Sequence, residues 1–100
     1  MNIQKYRKMI MVHGILTMIY ILFHFEDSED YEECAILKDA ILSFNFWNDW
    51  ENVDRVTSSM LADVKNTMQQ ITGIELENID KYYQAKAKAL IEDIEHWKNA

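Results

Sequence analysis

The sequence predicts an all-α fold: a compact four-helix arrangement of two helical hairpins, with helices at about 5–25, 29–43, 50–72 and 75–98. Three observations lead there. The 100-residue chain has no proline and two glycines, Gly14 and Gly73, too few turn residues for a strand-rich fold. Apolar residues recur at steps of three and four along most of its length. With 49% apolar and 27% charged residues, the chain reads as one globular domain, 1–100, rather than a disordered segment.

The first helix contains Met9–Phe25, seventeen residues without a formal charge. Lys5, Arg7 and Lys8 precede the block, and Glu26, Asp27, Glu29 and Asp30 follow it. A signal peptide would end in small residues before a cleavage site, yet no alanine occurs before Ala35. A membrane span needs about 20 mainly apolar residues, whereas this block holds His13, Gly14, Thr17 and His24. The basic-before, acidic-after flanks nevertheless keep a single-span membrane protein open as an alternative. At roughly 100° per residue, Tyr6, His13, Thr17, Tyr20 and His24 share an arc of about 60°, with Met11, Ile15, Met18 and Leu22 opposite. The expected role is the central helix of a soluble bundle. Its polar stripe (Tyr6, His13, Tyr20 and His24) is a secondary candidate for partner contact.

The run EDSEDYEE puts six acids into eight residues, Glu26 to Glu33. Asp27 or Ser28 is suited to cap the next helix, and acids in a first turn favour the helix dipole. Calcium is not expected, because the spacing lacks the glycine and distal glutamate of an EF-hand loop. In the second helix Tyr31, Cys34, Ala35, Leu37, Ile41 and Leu42 share one broad apolar face. Lys38 falls inside that arc and is expected to snorkel past its edge.

The segment Asp30–Ile41, DYEECAILKDAI, resembles the second helix of the UVR-type helical hairpin, a docking module of excision-repair and protease-adaptor proteins. Tyr31, Cys34, Ala35, Leu37, Lys38, Asp39 and Ile41 stand at matching positions. The resemblance covers about twelve residues of the chain and implies a helical hairpin with a protein-binding role.

Ser43–Trp50, SFNFWNDW, holds four aromatic residues in eight. Asn45 and Asn48 suggest a turn, and Asn48 with Glu51 resembles a capping box. Phe46, Trp47 and Trp50 are the leading candidate anchors for a partner, since such side chains dominate interface energetics. The third helix carries a stripe of Val53, Val56, Met60, Val64, Met68 and Ile71, and Gly73 is placed to cap its end. The fourth repeats the pattern with Leu76, Ile79, Tyr83, Ala87, Leu90, Ile94 and Trp97. Together they read as an antiparallel hairpin with coiled-coil-like packing.

Groups for chemistry are sparse. His13 and His24, eleven residues apart, would stand about 16 Å from each other on one helix and could not share a metal. His96 lies near Glu92 and Asp93, an ordinary surface setting. Cys34 lies on an apolar face and reads as packed rather than nucleophilic. Two isolated glycines cannot build a phosphate loop. No enzyme activity, metal or cofactor is therefore expected. The single cysteine points to a reducing, cytoplasmic setting.

Charge narrows the partner class. Residues 1–25 carry +3 and residues 26–100 carry −10. An acidic body argues against general nucleic-acid binding, which needs clustered Lys and Arg. It favours a protein or ribonucleoprotein with a basic surface, towards which Glu26, Asp27, Glu29 and Asp30 would steer. In size, acidity and helical content the chain is similar to small inhibitors carried by phages and other mobile elements, including anti-CRISPR and anti-sigma proteins. That likeness is one of type and implies an inhibitor or adaptor that docks on its target. A self-assembling helical protein, hence a homo-oligomer, is the other alternative.

Overall fold

The computed structural model describes residues 1–44 and 53–98 and is all-α. Its helices are α1 (Ile3–His13), α2 (Ile15–Asp27), α3 (Tyr31–Leu42), α4 (Val53–Thr72) and α5 (Leu76–Lys98). Among the described residues, no helix is long and apolar enough to cross a membrane.

The all-α expectation holds, with one difference in its first segment. Residues 5–25 form two helices because Gly14 adopts φ 88° and ψ 157°. That backbone region is essentially reserved for glycine and costs other residues about 1–3 kcal/mol. Gly14 ends α1 by donating its N–H to the Ile10 carbonyl at 2.9 Å, and α2 starts immediately after it. At the other end of α1, the Asn2 side chain accepts a hydrogen bond from the Lys5 N–H at 2.9 Å. This is the ordinary chemistry of a helix start.

α2 is the centre of the molecule. Met18, Ile19, Ile21, Leu22 and Phe25 are buried, and Thr17 with them. A helix apolar around most of its circumference must be covered on several sides, and α2 packs against α1, α3 and α5. Each fully buried Ile, Leu or Phe side chain contributes roughly 1.5–3 kcal/mol. α1 adds Tyr6, Met9 and Ile10 to this core, while α3 adds Cys34, Leu37, Ala40 and Ile41. Glu33 at the start of α3 meets Met1 and Tyr6, whereas Phe44, just past its end, lies under the Arg7 guanidinium.

α5 runs alongside α2, from Asp80 near Tyr20 to Lys98 near Asp30. It buries Ile79, Ala87, Leu90 and Ile94, the stripe its spacing predicts, and leaves Trp97 partly exposed. α4 packs on the outside of α5. Gly73, at φ 73°, turns the chain between them, and its N–H reaches the Gln69 carbonyl at 2.8 Å. Among the described side chains of α4, Leu61 alone is buried. Val64 and Met68 are half-buried, and Ile71 is 78% exposed. The burial of Val53, Val56 and Met60 lies outside the described side chains.

The break at Gly14 also corrects the first helix's faces. Met11, expected on the inner face, is exposed, and so is Val12. A face drawn through an unbroken helix does not survive a change of direction in the middle.

Candidate functional site

The acidic turn between α2 and α3 is the sequence-predicted site that the structure describes most fully. Ser28 ends α2, and its hydroxyl donates to the His24 carbonyl at 2.8 Å. Glu29 takes the left-handed conformation, φ 59°, and the Asp30 N–H closes the turn on the Phe25 carbonyl at 2.9 Å. The cap of α3 is Asp30 rather than Asp27 or Ser28: its carboxylate accepts from the Glu33 N–H at 3.4 Å. A cap must sit immediately before the first helical residue, here Tyr31, and the left-handed Glu29 turns the chain just ahead of that position, which Asp30 fills.

The six acids of the turn divide into two groups. Glu33 is buried and accepts hydrogen bonds from the Met1 ammonium and the Tyr6 hydroxyl. Asp30 pairs with Lys98 at 2.9 Å. The Lys98 hydrogen bond is the main reason its carboxyl is held below the usual range, and Lys98 is correspondingly raised by Asp30. Glu26 pairs with Lys38 at 3.5 Å, so Lys38 reaches across to α2 rather than simply snorkelling.

These three acids tie α1, α2, α3 and α5 together at one end of the bundle. Asp27, Glu29 and Glu32 are exposed and make no ion pair among the described residues. Tyr31 stands among them, 66% exposed.

Tyr31 is a residue that sequence reasoning misplaced. It was expected on the core face of its helix, together with Ala35, and both are exposed. The buried face centres on Cys34, Leu37 and Ile41, with Glu33 and Ala40 beside it. At about 100° per residue, Tyr31 lies roughly 120° from Leu37, the middle of those five residues. The missed signal is Glu33. Once a carboxylate with two donors of its own occupies the core side, the aromatic two positions earlier points outward.

The secondary stripe divides at Gly14. Tyr6 is fully buried, edge-on to Phe25 with ring centroids 6.4 Å apart. Burial, then the Glu33 carboxylate, pushes its hydroxyl pKa up. His13 is half-buried at the end of α1. Tyr20 stacks on Tyr83 with centroids 5.9 Å apart and donates its hydroxyl to Asp80. Its pKa is also raised, by burial first and Asp80 second.

His24 is exposed beside a 390 Å³ cleft between α2 and α5 that Lys88 and Glu92 also line. Tyr20 lines the same cleft, so Tyr20 and His24 share one surface, while Tyr6 and His13 on α1 are not part of it. The candidate anchors Phe46, Trp47 and Trp50, and the Asn48–Glu51 cap, lie outside the described residues.

Among the described residues, no cluster of three His, Cys, Asp or Glu side chains could hold a metal ion. Cys34 is buried, its Sγ 3.9 Å from the Leu22 carbonyl oxygen. A second exposed surface follows α1, where Lys5 lies 4.1 Å over the Trp97 ring beside Lys8 and Val12. No protein-family model, curated protein or solved structure matches the chain.

Proposed function

We propose that this protein acts by docking on a partner macromolecule, as an inhibitor or adaptor, through the acidic turn between α2 and α3. One observation carries the reading. Asp27, Glu29 and Glu32 are exposed around an exposed Tyr31, on a turn fixed from beneath by Asp30–Lys98 and Glu33–Tyr6. An aromatic anchor ringed by carboxylates on a rigid support suits a basic surface with an apolar notch. The partner is then a protein or ribonucleoprotein with a basic surface, and general nucleic-acid binding is not part of the activity.

Phe46, Trp47 and Trp50, which follow α3 in the sequence, would add further anchors. The likeness in type to small acidic phage inhibitors makes an anti-defence role, such as anti-CRISPR activity in the cytoplasm, the most specific form of this proposal.

The test is capture from the native host by three baits: wild type, Tyr31→Ala with Asp27→Asn and Glu32→Gln, and Phe46→Ala with Trp47→Ala and Trp50→Ala. The expected result is one partner held by wild type, released by added salt, and lost with either variant while helicity is kept. Equal capture by all three baits would rule the reading out.

A further inference from the structure

A single residue, Gly14, sets the angle at which α1 leaves α2. α1 buries Tyr6, Met9 and Ile10 against the body of the molecule, and only Gly14 separates it from α2. A Cβ at Gly14 would meet nothing within 4 Å, so space does not require a glycine there. Its φ of 88° and ψ of 157° do, because other residues reach that region only with strain. The residues on both sides are helical, and the apolar pattern runs on through the break. The turn therefore depends on one backbone conformation.

Three features at the break fit a helix that continues through it better than they fit the turn. α2 begins without a side-chain cap. In a continuous helix the N–H groups of Ile15, Leu16 and Thr17 would reach the carbonyls of Met11, Val12 and His13, the ordinary pairing four residues back. The Thr17 hydroxyl is buried with no hydrogen-bond partner among the described residues. The His13 carbonyl would then lie where a helical threonine donates, four residues before it. Met11 and Val12 are 74% and 75% exposed. At about 100° per residue, straightening would bring Met11 into line with Ile15, Met18 and Leu22, and Val12 into line with Ile19.

We infer that α1 exchanges between two copies of this chain, with Gly14 as the hinge. When Gly14 takes helical angles, residues 3–27 form one helix and α1 leaves its place on α2 and α3. That place is shaped by the chain's own Tyr6, Met9 and Ile10, so the occupant it fits is α1 of a second copy. Tyr6 of each copy then meets Glu33 of the other, the contact it makes within one chain. The two straightened hinges lie beside the two-fold axis, where Met11 and Val12 of both copies come together. The compact and exchanged forms share the contacts of α1 with the body, so the hinge sets the balance between them. The acidic turn keeps its support in both forms, and the inference does not rest on the docking proposal.

The test refolds wild type, Gly14→Ala and Gly14→Ser at low and high protein concentration and weighs the products by sedimentation. A cross-link reports the connectivity. Lys5 lies 4.1 Å over the Trp97 ring, so Lys5→Cys with Trp97→Cys, in a Cys34→Ala background, can be joined by a short bismaleimide. The link closes within one chain in the compact form and joins two chains in the exchanged one. Wild type refolded at high concentration should yield a dimer fraction whose links join two chains. Alanine strains the turn and favours the helix at both hinges of a dimer. Gly14→Ala should therefore tighten dimerisation at least about a hundredfold, equivalent to about 2.7 kcal/mol. Melting followed by circular dichroism identifies a variant that fails to fold; Gly14→Ser then replaces Gly14→Ala, and if neither folds the wild-type cross-link decides. A folded Gly14→Ala no more dimeric than wild type overturns the inference. So does a dimer whose links stay within one chain, or a wild type that remains monomeric after concentrated refolding.

Discussion

α2 and α4 each carry an apolar face, yet they occupy opposite situations in this molecule. α2 is enclosed by α1, α3 and α5 and buries Thr17, Met18, Ile19, Ile21, Leu22 and Phe25. α4 is longer, rests on α5, and buries Leu61 alone among its described side chains. Periodicity in a sequence announces that a face exists; the number of neighbours determines what that face contributes. The inner helix therefore carries stability. The outer one leaves apolar surface available.

The largest effect that would break or sharpen this contrast comes from matched truncations. Phe25→Ala removes a side chain that is 1% exposed and packed edge-on against Tyr6. It should cost about 3–5 kcal/mol in denaturant unfolding. Ile71→Ala, at a side chain that is 78% exposed, should change stability by less than about 0.5 kcal/mol. Comparable losses at the two positions would mean that α4 is as firmly integrated as α2.

A smaller effect lies where the outer hairpin is fastened to the body. The Asp80 carboxylate on α5 accepts from Lys65 of α4 and from the Tyr20 hydroxyl of α2. The Lys65 hydrogen bond first, and the Tyr20 hydroxyl second, hold the Asp80 carboxyl below its ordinary value of 3.8. A carboxyl depressed in the folded state contributes stability above its unfolded pKa and loses it as pH falls through the folded one. The fastening is therefore intact at neutral pH and weakens below about pH 4. Asp30, held down by Lys98, has the same sign at the far end of α5. Asp80→Asn should cost about 1 kcal/mol at neutral pH, and its difference from wild type should shrink on acidification. A difference that stays constant down to pH 3 would show that the Asp80 charge is not what fastens α4.

Much of the inner region was legible in the sequence. The charge-free block announces a central helix, and Leu37, Ile41, Ile79, Ala87, Leu90 and Ile94 sit where their spacing places them. Gly73 caps α4 as its position suggests. Gly14 was harder to read because the apolar pattern continues on both sides of it and no proline marks the break. Its positive φ separates Tyr6 and His13 from Tyr20 and His24, and the stripe that assumed one helix goes with it.

The candidate site was legible only in part. A run of six acids says nothing about which of them meet cations from distant segments. Met1, Tyr6, Lys38 and Lys98 decide that, and folding alone brings them to the turn. The result is that Glu26, Asp30 and Glu33 serve the fold, while Asp27, Glu29, Glu32 and the outward Tyr31 form the exposed face. On α4 the spacing correctly marks a stripe, but nothing in it shows that Ile71 lacks a cover.

Amide hydrogen exchange, followed residue by residue under native conditions, tests the contrast between the two regions most directly. It reports local opening separately from global unfolding. Amides in the middle of α2 should exchange only through global unfolding. Those of α4 from Leu61 to Thr72 should exchange at least about a hundredfold faster, a difference of about 2.7 kcal/mol or more. Equal protection of α2 and α4 would contradict the account, since it would make the outer hairpin part of one cooperative unit with the body.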